Sequence, residues 1–496
     1  MKTGRMTPYW LGALFFGVFF SVFFALRVDL PGRFLPNPTI QHLPAGEVVE
    51  RDTWMNIIQN NRKIGYSHAS LTKGDDAYLL SQTMLMRINT MGMVHEVDLT
   101  THGRLAPDFS LISFQFMLNS GRFKFAAYGS ITGNKMTVRT ESTGSTRTFD
   151  IPLKRKPLLA AGLYDAVIAT GLEPGREMVF HIFDPASMSQ QPIQVTVIGR
   201  ELWTGGTGVT PASRLLIDYK GMVQEAWIAD DGEVLKQTGF LGISLIKTSR
   251  EDALGGLPIS ASQDLTRVVS VPSNVTVPDP SRLSRMVVNI KGIRLTRLDV
   301  DGGRQQLDGT RLAIEKESLK DLPSKPPGSG PAGIDPKLLA PTPFIQSDHW
   351  QIRDLVGSIV SETDPPLEKT RKMVAWIQEN IDRRPVVSMP DALATLKNRT
   401  GDCNEHAVLL AAMARAAGIP TDIDAGLVYL DGRFYYHAWN RLFLGKWITV
   451  DALLNQIPAD VTHIRFSSGD LEGQLDLMDV IGKIQLDVAA MEAERS

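Results

Sequence analysis

The stretch 52–250 constrains the fold most, because its apolar and polar residues alternate in short runs that turn-forming residues interrupt. Asn60-Asn61 and Asp231-Gly232 each stand between two such runs, which is the composition of a hairpin turn. Short strands joined by tight turns pair antiparallel with their neighbours. We therefore predict an antiparallel β domain over residues 48–260, with one helical interruption near 158–172.

The remainder of the chain changes character twice. Residues 264–320 have the composition of a smaller β module, and the Pro- and Gly-rich stretch 321–345 is typical of a linker. From 346 to 490, apolar residues recur first at helical and then at strand spacing. The predicted fold class is α+β, with a C-terminal domain in which helices pack on an antiparallel sheet.

Three helices are predicted in this C-terminal domain, at 349–363, at 367–381, and from Cys403 to just before Gly418. The runs TDIDAGLVYL, GRFYYHAWNRLFL and KWITVDALL follow as strands. In the linker, GSGPAG at 328–333 matches the letters of a dinucleotide-binding loop, but no strand precedes it and no helix follows. We therefore expect no cofactor.

The N-terminus carries an uncharged run, PYWLGALFFGVFFSVFFAL at 8–26, which is long enough to cross a bilayer as a helix. A cleaved signal peptide is the alternative, but no small-residue cleavage pattern ends the run. We predict that residues 1–30 form an uncleaved membrane anchor. The expected location is the inner (cytoplasmic) membrane, single-pass, with the bulk of the chain periplasmic.

Charge and cysteine content limit the partners. The 496 residues carry a formal net charge of −2 with no polybasic run, so we expect no nucleic-acid partner. A single cysteine allows no internal disulfide. The sequence leaves the oligomeric state open.

That single cysteine, Cys403, follows Gly401-Asp402 at the predicted start of a helix. The unpaired N–H groups and the dipole at a helix start stabilise an anion, which predicts a lowered thiol pKa. A thiolate nucleophile also needs an imidazole as its proton carrier. His437 lies in the following strand region, and Asp451 comes fourteen residues later.

A hairpin would bring these last two residues together. Directly paired residues of a hairpin have numbers with a constant sum, and His437 with Asp451 gives 888 and a loop Phe443-Leu444-Gly445. The imidazole and the carboxylate would then share one face of the sheet, where an acid can orient the ring. The candidate catalytic residues are therefore Cys403, His437 and Asp451.

Two other interpretations of these residues stay open. Each alone could be structural, with Cys403 a buried small side chain, His437 a half-buried strand residue and Asp451 a helix cap. A zinc site is the second alternative, since Cys403, His406, His437, Asp451 and His463 are all possible ligands. We expect no metal ion at these residues, because zinc binding gives no reason for the cysteine to stand at the start of a helix.

The blocks GDCNEHAVLLAAMARAAGIPT, YYHAWNRLFL and KWITVD resemble the transglutaminase-like family, a branch of the papain-like cysteine hydrolase superfamily. The resemblance covers about 349–470 and implies a Cys-His-Asp triad, here Cys403, His437 and Asp451. One departure is Ala452, where the family usually has proline. The resemblance points to a bacterial, membrane-anchored member.

Two functions follow as hypotheses. The first is a membrane-anchored transglutaminase-like cysteine enzyme that acts on amide bonds of a protein or peptide substrate through a thioester, with water or an amine as acceptor. The second is a peptide-binding or assembly protein in which the triad is idle and the β region is the binding surface.

Overall fold

The computed structural model describes residues 50–143, 145–205, 208–219, 222–296, 298–320, 322–323, 334–469, 477 and 480–494. The predicted anchor, 1–30 with its apolar run 8–26, lies outside these residues. Within the described residues, no helix combines the length and the apolar character needed to cross a membrane.

The described chain divides into two compact units, 50–265 and 266–494. The first unit holds one large antiparallel sheet of fifteen strands. These are β1 Arg51–Gln59, β2 Arg62–Lys73, β3 Tyr78–Thr90, β4 Met93–Leu105, β5 Leu111–Ser120, β6 Phe123–Thr132, β7 Lys135–Ser142, β8 Ser145–Pro152, β9 Leu158–Leu159, β10 Glu177–Asp184, β11 Ser189–Gly205, β12 Gly208–Tyr219, β13 Met222–Ala229, β14 Val234–Thr238 and β15 Ile243–Thr248.

The strand order in this sheet is β8-β7-β6-β5-β4-β3-β2-β1-β15-β14-β13-β12-β11-β10-β9, so nearly every strand pairs with its neighbours in sequence. Only the β9–β10 pair is parallel among these strands. Asn60 and Asn61 both have positive φ, 49° and 61°, as a two-residue hairpin turn between β1 and β2 requires. The predicted antiparallel β region is confirmed in this unit.

Two short helices accompany the sheet, α1 Leu163–Thr170 and α2 Arg250–Gly255. Helix α1 lies within the predicted helical interruption, and its first five residues, Leu163 to Val167, are all buried. A third helix, α3 Leu265–Val269, spans the boundary between the units.

The second unit contains helices and three small sheets. Its helices are α4 Trp350–Ile359, α5 Pro366–Asn380, α6 Ala392–Asn398 and α7 Cys403–Ala416. Its strands are β16 Val271–Pro272, β17 Leu283–Lys291, β18 Gln305–Asp308, β19 Arg311–Glu315, β20 Asp382–Arg383, β21 Thr400–Gly401, β22 Thr421–Leu430, β23 Arg433–Phe443, β24 Trp447–Val450, β25 Ile464–Ser468 and β26 Gln485–Ala493.

Helix α7 is the centre of this unit. Residues Cys403 to Arg415 are all buried, and Ala407 to Ala414 are apolar without exception, as expected for a helix enclosed by its unit. It packs against β22 and β23 on one side and against α4, α5 and α6 elsewhere. The central sheet has the order β16-β23-β22-β25, with β24 paired to β23. This arrangement of helices on an antiparallel sheet is the predicted α+β class.

The prediction of a separate small β module at 264–320 is wrong. Its strand β17 pairs with β26, so that Met286 lies opposite Met491, and β16 pairs with β23. Two described residues of the predicted linker 321–345, Leu322 and Ile345, pack into the core around α7. Sequence composition indicates strands, but it does not reveal a partner strand some two hundred residues away.

Candidate functional site

Helix α7 begins at the Gly-Asp-Cys motif, residues 401–403. Asp402 is the N-cap: its Oδ1 accepts from the N–H of Asn404 at 3.1 Å, and its own N–H donates to Glu405 Oε2 at 3.0 Å. The second bond, together with a bond from the N–H of Glu405 to the Asp402 side chain, forms a capping box. Gly401 leaves room for the box, since a Cβ there would lie 2.3 Å from the Cβ of Glu405. Cys403 is therefore fixed as the first helical residue.

The thiol of Cys403 is fully buried, with 0 % of the residue exposed. Its Sγ accepts a hydrogen bond from the N–H of Ala438 at 3.3 Å. Burial, and next the nearby carboxylate of Asp402, raise the pKa of Cys403 well above its ordinary value. The predicted lowering is wrong because the loss of hydration outweighs the attraction of the helix start.

His437 and Asp451 meet directly. The Nε2 of His437 lies 2.5 Å from Oδ2 of Asp451, and both side chains are buried. The strand register differs from the predicted one, because β23 and β24 pair Phe443 with Trp447 and their residue numbers sum to 890. The loop is therefore Leu444-Gly445-Lys446. A shift of two residues keeps both side chains on the same face, so the predicted contact forms diagonally.

Asp451 uses both of its carboxylate oxygens. Oδ1 accepts from the N–H of Leu454 at 2.8 Å, and Oδ2 also lies 3.0 Å from Nε2 of His463. Burial alone would raise the pKa of Asp451, but His437 and His463 hold it far below the usual range. The group is an ionised carboxylate, so both imidazole Nε2 atoms donate to it.

The other nitrogen of His437, Nδ1, is buried and has no hydrogen-bond partner among the described residues. With the ring proton on Nε2, Nδ1 of a neutral His437 carries the lone pair and can accept a proton. The residue after His437 is Ala438, which holds the Cys403 sulfur. The fold thus brings together all three predicted residues.

One set of side chains could hold a metal ion. The ligand atoms of His437, Asp451 and His463 lie within 4.8 Å of one another. Their hydrogen bonds to one another account for this proximity, and we assign no metal to them. Cys403 and His406, the other residues of the zinc alternative, are outside this set. His406 donates from Nδ1 to the carbonyl of Asp402 at 2.7 Å, and burial lowers its pKa to about 4, which keeps the ring neutral.

Sequence reasoning considered His463 only as a possible metal ligand and did not consider Asp460. Asp460 Oδ1 lies 3.4 Å from Nδ1 of His463, and both side chains are buried. The spacing of an acid three residues before a histidine was visible in the sequence. The contact of His463 with Asp451 was not visible, because it depends on how the loop between β24 and β25 folds.

Comparisons with protein families and with solved structures each find similar proteins. The family model of the transglutaminase-like superfamily matches residues 353–452. A crystal structure of a candidate cysteine protease from Cytophaga hutchinsonii shares 18% identity, covers 43% of this chain and 85% of its own, and has a TM-score of 0.27.

A β-barrel-like protein from Brucella abortus, a domain of unknown function, shares 10% identity, with 41% of this chain and 100% of its own chain covered and a TM-score of 0.31. No curated protein matches the chain.

The matched residues 353–452 run from α4 through the Cys403 helix and the His437 strand to the residue after Asp451. They include every block of sequence that resembles the family. Residues 353–452 of this chain are accordingly a domain of the transglutaminase-like superfamily.

Proposed function

We propose that the transglutaminase-like domain is a cysteine-dependent enzyme that cleaves or transfers an amide-linked acyl group of a protein or peptide. Cys403 is the nucleophile, His437 is the proton carrier, and Asp451 orients His437. The observation that carries the proposal is the 2.5 Å contact between His437 Nε2 and Asp451 Oδ2, which leaves Nδ1 of the ring without a partner among the described residues.

The chemistry proceeds in two halves. Nδ1 of His437 takes the thiol proton as Cys403 Sγ bonds to the carbonyl carbon, and it gives that proton to the leaving nitrogen when the C–N bond breaks. Ammonia or an amine departs, and a thioester remains. Water or a primary amine then attacks the thioester while Nδ1 of His437 takes a proton from it, and His437 gives that proton to sulfur as the C–S bond breaks.

The electrostatics support general-base activation of a neutral thiol. Burial raises the pKa of Cys403, so a proton must leave the sulfur during attack rather than before it. Asp451 favours the imidazolium that forms at that moment. The N–H groups of Asn404 and Glu405 donate to the Asp402 cap, so the N–H of Cys403 would be the first-turn group that stabilises the oxyanion.

The test is a comparison of amide chemistry in the full chain and its variants. Ammonia release from a glutamine peptide and hydrolysis of a peptide panel are measured for the wild type, Cys403→Ala and His437→Ala. We expect either variant to lose nearly all activity, since the two residues act as a unit. Activity that survives Cys403→Ala would overturn the assignment.

One observation favours the second candidate, a binding or assembly protein with an idle triad. Cys403, His437 and Asp451 are 0 %, 1 % and 0 % exposed, so a substrate reaches them only if the covering residues move. A wild type that is inert to the whole amide panel, yet folded, would favour this candidate.

We also propose that residues 8–26 anchor the chain in the inner membrane, with the bulk of it in the periplasm. The support is the uncharged apolar run. Fractionation of cells, followed by N-terminal sequencing of the membrane-extracted protein, tests this. A mature chain that begins near residue 30 would contradict it.

A further inference from the structure

Both ring nitrogens of His463 face carboxylates. Nε2 lies 3.0 Å from Oδ2 of Asp451, the same oxygen that His437 contacts, and Nδ1 lies 3.4 Å from Oδ1 of Asp460. The ring also stands edge-on to Trp439, with 5.1 Å between centroids. His463 is 0 % exposed, so water does not screen these contacts. A neutral imidazole can donate to only one of its two acids.

We propose that His463 is a positioning residue for the His437–Asp451 pair, a buried cation that fixes the Asp451 carboxylate and balances its charge. The inference rests on the proposed function in that it assigns His437 as the proton carrier. It adds a fourth residue that acts through Asp451 without touching the substrate.

The backbone around His463 is clamped by one guanidinium. Arg304 donates to the carbonyl oxygens of Ala459, Asp460 and His463 at 2.7, 2.9 and 2.9 Å. These bonds fix the turn from which both Asp460 and His463 project. Because charged donors make strong hydrogen bonds, the ring of His463 has little freedom to leave Asp451.

The same guanidinium connects this turn to the strand that leads to Asp451. Arg304 pairs with Glu317 at 2.9 Å, and the side chain of Arg304 is only 6% exposed. Oε1 of Glu317 accepts from the N–H and Oγ1 of Thr449 at 3.0 and 2.6 Å. The Arg304–Glu317 ion pair therefore connects the turn that carries His463 with the strand that leads to Asp451.

The charges around the cluster agree with a protonated His463. Burial alone would lower the pKa of His463, but its hydrogen bonds with Asp451 and Asp460 raise it to about 9. Three elements contribute the other titratable groups that interact electrostatically within this cluster. The start of α7 contributes Cys403, His406, Asp402 and Glu405, β23 contributes His437, and β20 contributes Arg383.

A consequence for His437 follows from this charge balance. With His463 protonated, Asp451 and His463 together are neutral, and the pull of Asp451 on a proton at His437 is weakened. Without the His463 charge, the full negative charge of Asp451 acts on His437 alone. This change in charge distinguishes an electrostatic role from a merely structural one.

The first experiment follows kcat/KM against pH for the full-length wild type, for His463→Gln and for His349→Asn. Glutamine keeps a donor for Asp451 without the charge. His349→Asn is the control, because this residue caps α4 and asparagine also caps well. We expect the pH profile of kcat/KM to move by about one pH unit in His463→Gln only, because that variant alone removes a charge beside Asp451. A profile that superimposes on that of the wild type after scaling would overturn the inference.

The second experiment does not depend on activity. Histidine-selective ¹⁵N NMR of the full chain, assigned with single-histidine variants, reports which ring nitrogens carry protons. We expect both nitrogens of His463 to be protonated at pH 7. A His463 ring with one bare nitrogen at pH 7 would refute the inference even if the variant fails to fold. The expected NMR result in a wild type inert to amides would support the inference while the proposed enzyme function fails.

Discussion

The backbone N–H of Ala438 donates to the sulfur of Cys403 across 3.3 Å, which ties the start of helix α7 to strand β23. The neighbour of Ala438 in that strand is His437. The bond therefore sets the position of the sulfur relative to the imidazole through the backbone, independently of any direct contact between the two side chains.

The reactivity of Cys403 follows from its burial. We expect iodoacetamide at pH 6 to modify the folded protein very slowly, because the thiol is both inaccessible and held protonated by its raised pKa. In urea, one equivalent per chain should react at the rate of an ordinary thiol, since the chain has one cysteine. Mass spectrometry gives the stoichiometry, with Cys403→Ala as the blank. Rapid labelling of the folded protein at pH 6 would contradict this prediction, because it would show that the sulfur is accessible to the reagent.

Asp451→Asn tests the charge balance in the cluster. The amide can still accept from one histidine, but it leaves the His463 cation without its main partner. We expect the free energy of unfolding to fall by about 3 kcal/mol at pH 7, the scale for a buried charge that loses its partner. Urea denaturation measures this. The double variant with His463→Gln should lose less than the sum of the two single variants, and simple additivity would argue against the coupling.

His463 also predicts a pH dependence of stability. Its folded pKa of about 9 lies above the ordinary 6.5, so between these values the folded chain holds a proton that the unfolded chain has released. The contribution is complete below about pH 6.5 and is lost as pH rises through about 9, a change of about 3 kcal/mol.

The measurement is the difference in free energy of unfolding between wild type and His463→Gln across pH 6 to pH 10. His406 gives an internal contrast of opposite sign. Its folded pKa of about 4 is depressed, so the wild type should gain on His406→Gln as pH rises from about 4 to 6.5. A difference for His463→Gln that does not change with pH would contradict the assignment of a buried cation.

Gly426 supports the site from the adjacent strand. It pairs with His437 in the sheet, next to the bulge where β22 meets β25. A Cβ at this position would lie 1.9 Å from the carbonyl oxygen of Ile464, the residue after His463. We expect Gly426→Ala to destabilise the protein by about 2 kcal/mol and to shift His463.

Gly357→Ala is the matched control for this glycine. Gly357 lies within α4, and nothing is within 4 Å of its added Cβ. We expect a gain of about 0.5–1 kcal/mol there, because alanine favours the helix. Equal effects of the two substitutions on urea denaturation would mean that the space around Gly426 is not restrictive.

Local patterns in the sequence were enough for the parts of the site that depend on local structure. The Gly-Asp-Cys motif predicted the start of α7, and the strand period predicted that His437 and Asp451 share a face. That second prediction tolerated an error of two residues in register, because side chains alternate with a period of two along a strand.

Features that depend on distant contacts were not predictable in the same way. The predicted lowering of the Cys403 pKa was wrong because burial is a property of the packed unit, not of the helix start. The role of His463 needed the loop that folds it back onto Asp451, and the clamp needed Arg304, more than 150 residues away. The same reason applies to β17 and β26, whose pairing joins the two ends of the second unit.

The central claim is that Cys403 forms a thioester, and intact-protein mass spectrometry after acid quenching tests it most directly. The full chain is mixed with a glutamine-containing peptide and quenched during turnover, with Cys403→Ala treated in parallel. We predict a wild-type species heavier by the peptide less one ammonia, mapped to Cys403 and absent from the variant. A wild type that releases ammonia without this adduct, or an adduct that persists in Cys403→Ala, would contradict the claim.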